Sequence, residues 1–529
     1  MDILKKVRFS RMRKKGRQKE ENPAKRDYGP LLPSLGKNLE NLRNILNNSS
    51  DVAISEFDFG SHKKAKGALV YIEGMVNKEL IQKSVLQPLM QDVLLTSSRE
   101  QPDLADMESI KRTLILVSGK VKVTRLNDLL DNLLSGGTIL LVDGSREAMA
   151  INEKKWESRG VEDPQTENIV RGPREGFTET LRVNTVLLRR RIRDPDLCLE
   201  LMKIGDRTKT EICIVYLKNT ADKKLIDEIR TRLQNIHTDA ILESGYIEQF
   251  IEDSPYSIFS TIANNEKPDK TAAKILEGRV AILVDGSPFA LTMPMLFVES
   301  FQSAEDYYSR TLFSSFLRII RFIAFFISVL SPAVYVALTV FHQELIPTQL
   351  LISIAAGREP IPFPAVVEAA LMLLTFDILR EAGVRLPKPV GSAVSIVGAL
   401  VLGQSAVTAG LISPIMVIVV AATAIASFVV PAQTDSGALL RYIFLILAGL
   451  AGGFGIIMGL LVCVIYMGSL RSFGTPYLSP VAPLSFSDLK DTVIRLPLKN
   501  ILTNKGPGRY NVKNQNNDQA VPYEKKSGE

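Results

Sequence analysis

The chain is poor in the residues that build reactive or metal centres. Its 529 residues include three cysteines, three histidines and one tryptophan. Cys198, Cys213 and Cys463 are odd in number and scattered, which argues against a disulfide framework and against a zinc site. Such a set suits a soluble part kept in a reducing compartment. His62, His237 and His342 are far apart in sequence. No phosphate-binding Walker lysine motif, no His-Glu-x-x-His and no Cys-x-x-Cys occurs. Asp-Gly-Ser appears twice, at 143–145 and 285–287, with no base near either serine, and reads as a turn at a strand end. An enzymatic role, a cofactor and a bound metal are therefore not expected. The first residues also lack the apolar core of a signal peptide.

The chain carries 64 Lys and Arg against 57 Asp and Glu, for a net charge of +7. Eleven of the basic residues fall within the first 26. That head reads as a solvated, disordered tail, or as an attraction to anionic lipid at ~1 kcal/mol per charge. Nucleic acid is not expected, because no aromatic residues interleave with the charges. The overall hydrophobic content of 46% conceals a sharp asymmetry. Residues 1–315 are mixed, 316–470 are mostly apolar and 471–529 are polar again.

Within the apolar part, five segments are expected to be membrane-embedded: 319–341, 364–383, 392–410, 411–432 and 441–470. Phe322 to Phe341 is 20 residues without charge, the length that crosses hydrocarbon. Pro389 to Thr434 is 46 uncharged residues, ~70 Å as one helix, so it must fold back. Gly410 and the following Leu-Ile-Ser-Pro supply the turn. Basic flanks (Arg310, Arg318, Arg321; Arg380, Arg385, Lys388; Arg471, Lys490, Arg495) place both ends of this part inside the cell. Crossings must then be even, so one of five segments is re-entrant or two share a crossing, with Ser392 to Gly410 the candidate. Gly398, Gly403, Gln404, Ser405 and Thr408 there, with Gly449 and Gly453 further on, suit either close helix packing or a path lined by small polar groups. Glu368 has no charge partner within its own segment and is the stronger functional candidate. Asp377 can pair with Arg380 at i,i+3.

The soluble part contains a duplication. Leu69 to Ile81 aligns without gaps to Ile214 to Ile226, and Leu140 to Ser145 matches Ile282 to Ser287. Two related α/β subdomains are expected at 61–160 and 205–315, after a basic head at 1–60. Between them, 161–204 reads as a connecting region with a helix from Glu179 to about Arg193, capped by Thr178 and preceded by tight turns at Gly172 and Gly176. Leu181, Asn184, Leu188 and Ile192 share one side of it. Its charge density admits a solvated linker, or an interface in which Arg171, Arg174, Arg182, Arg189, Arg190 and Arg191 pair with Glu175 and Glu179 of a neighbouring copy. Beyond the apolar part, 471–502 reads as a cytoplasmic segment and 503–529 as a disordered tail. The fold class is thus an α/β soluble N-terminal region of two related subdomains, followed by an α-helical, multi-span membrane domain.

The stretches "GGTILLVDGS", "PQTENIVRGPREGFTETLRVNTVLLRRRI", "SAEDYYSR", "FDILREAGVRLP", "LISPIMVIVVAATAIASF" and "PYLSPVAPLSFSDLKDTVIRLP" occur here in that order. They resemble the A subunit of the spore germinant receptors of endospore-forming bacteria, over about residues 60–500. The resemblance implies residence in the spore inner membrane, a transporter-like B subunit and a lipoprotein C subunit as partners, and self-association into an oligomer around a nutrient-gated cation path. It supplies no catalytic residues. A non-conducting scaffold and a secondary transporter are the alternatives.

Overall fold

The computed structural model describes residues 26–59, 65–89, 120–152, 167, 171–385, 403–485 and 491–497. It divides into two compact units: residues 1–156 with 193–195, and residues 157–192 with 196–529.

Unit 1 opens with helix α1 (Leu35–Ile45), then strands β1 (Val52–Phe59) and β2 (Ala65–Ile72). A short helix α2 (Lys78–Ile81) follows, and then β3 (Lys120–Val123), α3 (Leu126–Leu134), β4 (Thr138–Val142) and β5 (Ala148–Ile151). The strands pair antiparallel in the order β1-β2-β4-β5-β3.

Unit 2 begins the same way. Helix α4 (Leu181–Arg191) leads to β6 (Leu197–Ile204) and β7 (Thr210–Leu217). Then come α5 (Lys223–Gln234), α6 (Ser244–Ile251), β8 (Ala263–Asn265), α7 (Pro268–Leu276), β9 (Val280–Val284) and β10 (Ala290–Met293). The sheet order is β6-β7-β9-β10-β8, the order of unit 1. Side chains alternate along a strand. Ile212 and Ile214 of β7 face α5 and α6, while Cys213 and Val215 face α4 and α7. β9 is accordingly apolar and buried at all five positions, a central strand covered on both faces.

The arginine-rich helix is therefore the opening helix of the second sheet unit, equivalent to α1. Leu35, Asn38 and Leu42 correspond to Leu181, Asn184 and Leu188, each 146 positions on. Asn38 accepts from Leu32 N (3.0 Å) and donates to Leu32 O (2.6 Å). Asn184 does the same with Thr178, at 2.8 and 2.5 Å. A buried amide needs such partners. The helix starts are held alike too: Asp143 accepts from Leu35 N at 2.9 Å and Asp285 from Leu181 N at 3.0 Å. So α4 starts two residues later than expected, and a carboxylate 104 positions away caps it in place of Thr178. The Asp-Gly turns hold the helices to the sheets, with Gly144 and Gly286 both at φ +84. Gly172 has a positive φ, whereas Gly176 does not.

The apolar half of unit 2 comprises α8 (Glu305–Tyr308), α9 (Thr311–Val340), α10 (Thr348–Arg358), α11 (Ala365–Arg385), α12 (Gly403–Thr408), α13 (Pro414–Ser427) and α14 (Thr434–Ser469). Among the described residues, two helical stretches are long and apolar enough to cross a membrane, Thr311–Val340 and Pro431–Ser469. The second is not one rod. Gly452 lies inside it at φ +58, ψ −139, backbone that strains any other residue. Ser436 near its start donates to Ile258 O at 2.7 Å. Tyr466 near its end lies 6.4 Å, ring to ring, from Phe259. A straight helix would hold residues 436 and 466 ~45 Å apart. A Cβ added to Gly459 would meet the Phe444 ring at 2.9 Å, although the two are fifteen positions apart. The chain thus turns back at Gly452, and 434–451 and 453–469 form antiparallel arms, each roughly 26 Å long. The expected single segment at 441–470 is two. The re-entrant candidate Ser392 to Gly410 lies largely outside the described residues.

Candidate functional site

A buried polar cluster sits where the second sheet region meets the apolar helices. Arg318 and Arg321 are three apart on α9 and so share a face. Arg318 Nε and Arg321 Nη1 both donate to Asp306 Oδ2 at 2.8 Å. Asp306 is held by α8 and accepts from Ser303 N at 3.2 Å. Arg318 Nη1 reaches Asp491 Oδ1 at 2.8 Å, and the Tyr307 hydroxyl donates to Asp491 Oδ2 at 2.6 Å. Arg495 donates to the Asp306 carbonyl and, at 3.1 Å, to Ser309 O. The Tyr307 ring lies against both guanidiniums, 5.1 Å from Arg495 and 5.6 Å from Arg318. Burial, reinforced by Asp491, keeps the Tyr307 phenol above its usual range, so it remains a neutral donor. Arg318 is 0% exposed and Asp306 1%. Burying such charges costs several kcal/mol per ion before pairing offsets it. The cluster therefore works as a clamp that fixes the segment 491–497 against the base of α9. By sequence alone, Arg318 and Arg321 count as basic flanking charge that sets orientation. The motifs "SAEDYYSR" and "SDLKDTVIRLP" contain the partners but do not reveal that they meet.

A second contact ties the end of α14 to the sheet region. A two-residue ladder, Arg471–Ser472 with Thr475–Pro476, forms a hairpin. Ser472 donates to Thr261 O (2.6 Å) and accepts from Met295 N (3.0 Å). Phe473 N donates to Asp253 at 2.6 Å, and Arg232 lies 4.5 Å over the Phe473 ring. Buried Tyr477 packs against Phe259 and Phe297 at 6.1 and 6.0 Å. Thr261 is positioned in turn by Glu252, which accepts from its N–H and hydroxyl at 3.0 and 2.9 Å.

Glu248 lies one helical turn before Glu252. Burial pushes its carboxyl up to about 7, with Glu252 and Glu243 adding to the rise and the Ser260 hydroxyl opposing it. A carboxyl whose folded pKa exceeds its unfolded value of 4.5 holds an extra proton in the native state between the two. Stability then falls as pH rises from about 4.5 to about 7, on the order of 1–3 kcal/mol in all. Glu248→Gln should flatten the thermal midpoint against pH across that window and raise it at pH 8.

Inside the apolar half, Glu368 is fully buried. It accepts from Ser413 N (2.6 Å) and Ser413 Oγ (2.5 Å), with Arg358 Nε 3.9 Å from its other oxygen. Ser413 also caps α13, so Glu368 fastens α11 to the start of α13. Asp377 pairs with Arg441 (3.0 Å) and Tyr442 (2.6 Å) on α14, not with Arg380 as the spacing suggested.

The remaining sequence candidates divide by burial. Gly403 is buried, and Gln404, Ser405 and Thr408 are exposed; Gly398 lies outside the described residues. Gly449 and Gly453 are close-approach positions: an added Cβ would lie 2.7 Å from Val366 and 3.0 Å from His342. Arg171, Arg174 and Glu179 are exposed and Arg182 half-buried. Glu175 pairs within the chain, with Arg190 at 3.4 Å and Arg191 at 2.8 Å. Arg189 is buried and donates to Leu197 O at 3.1 Å. Among the described residues, no group of three or more His, Cys, Asp or Glu could hold a metal.

Comparisons with known proteins agree on one family. The model described as Bacillus/Clostridium GerA spore germination protein matches residues 40–505. Spore germination protein KA of Bacillus subtilis (strain 168) is 48% identical over 88% of this chain and 85% of its own length. The protein called "Uncharacterized membrane protein YfkQ", from the same organism, is 43% identical over 91% of this chain and 92% of its own. The crystal structure of the N-terminal domain of the A subunit of the Bacillus megaterium spore germinant receptor GerK3 is 39% identical, covers 51% of this chain and 97% of that one, and superposes with a TM-score of 0.41. With a family match across both units and relatives aligned over most of their length, this chain belongs to the GerA family of spore germination proteins.

Proposed function

We propose that this chain is the A-type subunit of a nutrient receptor in the spore inner membrane, acting with a transporter-like B subunit and a lipoprotein C subunit. Family membership over residues 40–505 carries the reading. In it, α9, α11, α13 and the two arms of α14 lie in the membrane, and the turn at Gly452 returns the end of α14 to the side on which it starts. The sheet units and the C-terminal segment then share the cytoplasmic side. Several copies assemble around a path for monovalent cations, with exposed Arg171, Arg174 and Glu179 as the self-association candidates. Nutrient bound by the partners favours the open state, which requires different affinities for the two states. The clamp and the hairpin then act as the two mechanical links between the cytoplasmic part and the helices.

Co-reconstitution with the B and C partners in potassium-loaded liposomes tests this. Nutrient should release potassium, and omission of this chain should abolish release. An oligomer that assembles but passes no ion would overturn conduction in favour of a scaffold.

A further inference from the structure

Helix α6 carries an exposed stripe without charge. Tyr246 and Phe250 are four apart and share a side. Leu242 precedes the helix and Tyr256 follows it. All four are exposed, Tyr256 completely. The acids of this stretch are turned inward. Glu243 accepts from Ser287 Oγ and Gly245 N, both at 2.6 Å, Glu248 from Ser260 Oγ at 3.0 Å and Glu252 from Thr261 N at 3.0 Å. Asp253 pairs with Arg232 at 2.5 Å.

The stripe leads to the apolar helices. The start of α6 is held at the turn between β9 and β10, where Ser287 Oγ donates to Ser244 Oγ at 3.0 Å. Its end is held beyond the other end of β10. There Asp253 accepts from Phe473 N, in the hairpin that also accepts from Met295 N. The loop after it reaches both arms of α14, through Ile258 O to Ser436 and through the Phe259 ring to Tyr466. Eight helical residues span ~12 Å, so Leu242 stands about that much further from the helices than Tyr256, which lies at their ends. Exposed Phe428, at the end of α13, and exposed Arg471 lie at those ends too. Aromatic side chains gather where hydrocarbon meets water, because an apolar ring and a polar tip suit both sides.

We propose that Phe250 and Tyr256 enter the headgroup layer of a phospholipid bilayer and anchor the second sheet region to the membrane surface, an inference that rests on the membrane reading above.

Trp156 is the chain's one tryptophan. On a Trp156→Phe background, Tyr256→Trp, Leu242→Trp and Ile446→Trp are made singly, all at exposed positions. Each full chain is reconstituted into phosphatidylcholine vesicles with plain or brominated acyl chains. Emission from Tyr256→Trp should shift to the blue and fall on bromination, while Leu242→Trp should emit alike in both vesicles. No quenching at 256, or equal quenching at 242 and 256, would overturn the anchor. A blue shift at 256 without quenching would overturn it in favour of a second copy covering the face. Ile446→Trp, on the first arm of α14, reports on the membrane reading separately. Quenching at 446 and not at 256 overturns the anchor alone. Quenching at 256 and not at 446 supports the anchor as a surface contact and sinks the membrane reading.

Discussion

Gly452→Ala should cost the full-length chain ~2–5 kcal/mol, seen as a large drop in thermal midpoint and in yield of monodisperse protein. Two effects add. The backbone at φ +58, ψ −139 strains an L-residue by ~1–3 kcal/mol. The new Cβ would also lie 2.7 Å from Cγ and 2.8 Å from Cβ of Phe341, overpacking worth another ~1–3 kcal/mol. A chain that escapes by straightening would carry Tyr466 away from Phe259 and strip Ser472 from Thr261. Gly468→Ala is the control. It lies in the same helix with nothing within 4 Å of its added Cβ, and should be neutral or stabilising by up to ~1 kcal/mol. Equal midpoints for the two variants would mean that Gly452 is not a turn.

Asp306→Ala should be comparably severe, at ~3–5 kcal/mol, because removing one partner of a buried pair leaves uncompensated charge. Arg318 would lose its Nε acceptor, and Arg321 both carboxylate contacts at 2.8 Å. Segment 491–497 should then become sensitive to protease, because Arg318, which loses its Nε anchor, is the residue that holds Asp491. Asp306→Asn, which keeps the side-chain shape and one oxygen acceptor for the two arginines, should lose less than Asp306→Ala. An Asp306→Ala chain with native stability and an intact C-terminal segment would show that the cluster does not act as a clamp.

What was legible in the sequence is what repeats or alternates locally. The matches at β2 and β7, and at the two Asp-Gly-Ser turns, exposed the duplication. The apolar side of α4 was read correctly: Leu181, Asn184, Leu188 and Ile192 are all buried. The equivalence of α4 with α1 was present as Leu-x-x-Asn-x-x-x-Leu at a spacing of 146, but three matches in a dense run of arginines are a thin signal. Long-range pairing was not legible. Asp377 has a basic neighbour three residues on, yet its partner is 64 positions away, and Arg495 reaches back 189 positions to Asp306. Hydropathy also hid the turn at Gly452, because a helix and its reversal are equally apolar. Of the glycines at 449, 452, 453, 455 and 459, only Gly452 has a positive φ.

The two-armed α14 underlies the position of the C-terminal segment, and side-specific labelling tests it most directly. Exposed Asp435, Arg471 and Glu344 are replaced by cysteine one at a time, with Cys463 changed to alanine and Cys198 and Cys213 left buried. Right-side-out and inside-out vesicles then meet a membrane-impermeant thiol reagent. Positions 435 and 471 should label from the cytoplasmic side and position 344 from the other. Labelling of 435 and 471 from opposite sides would make α14 a single span and contradict the account.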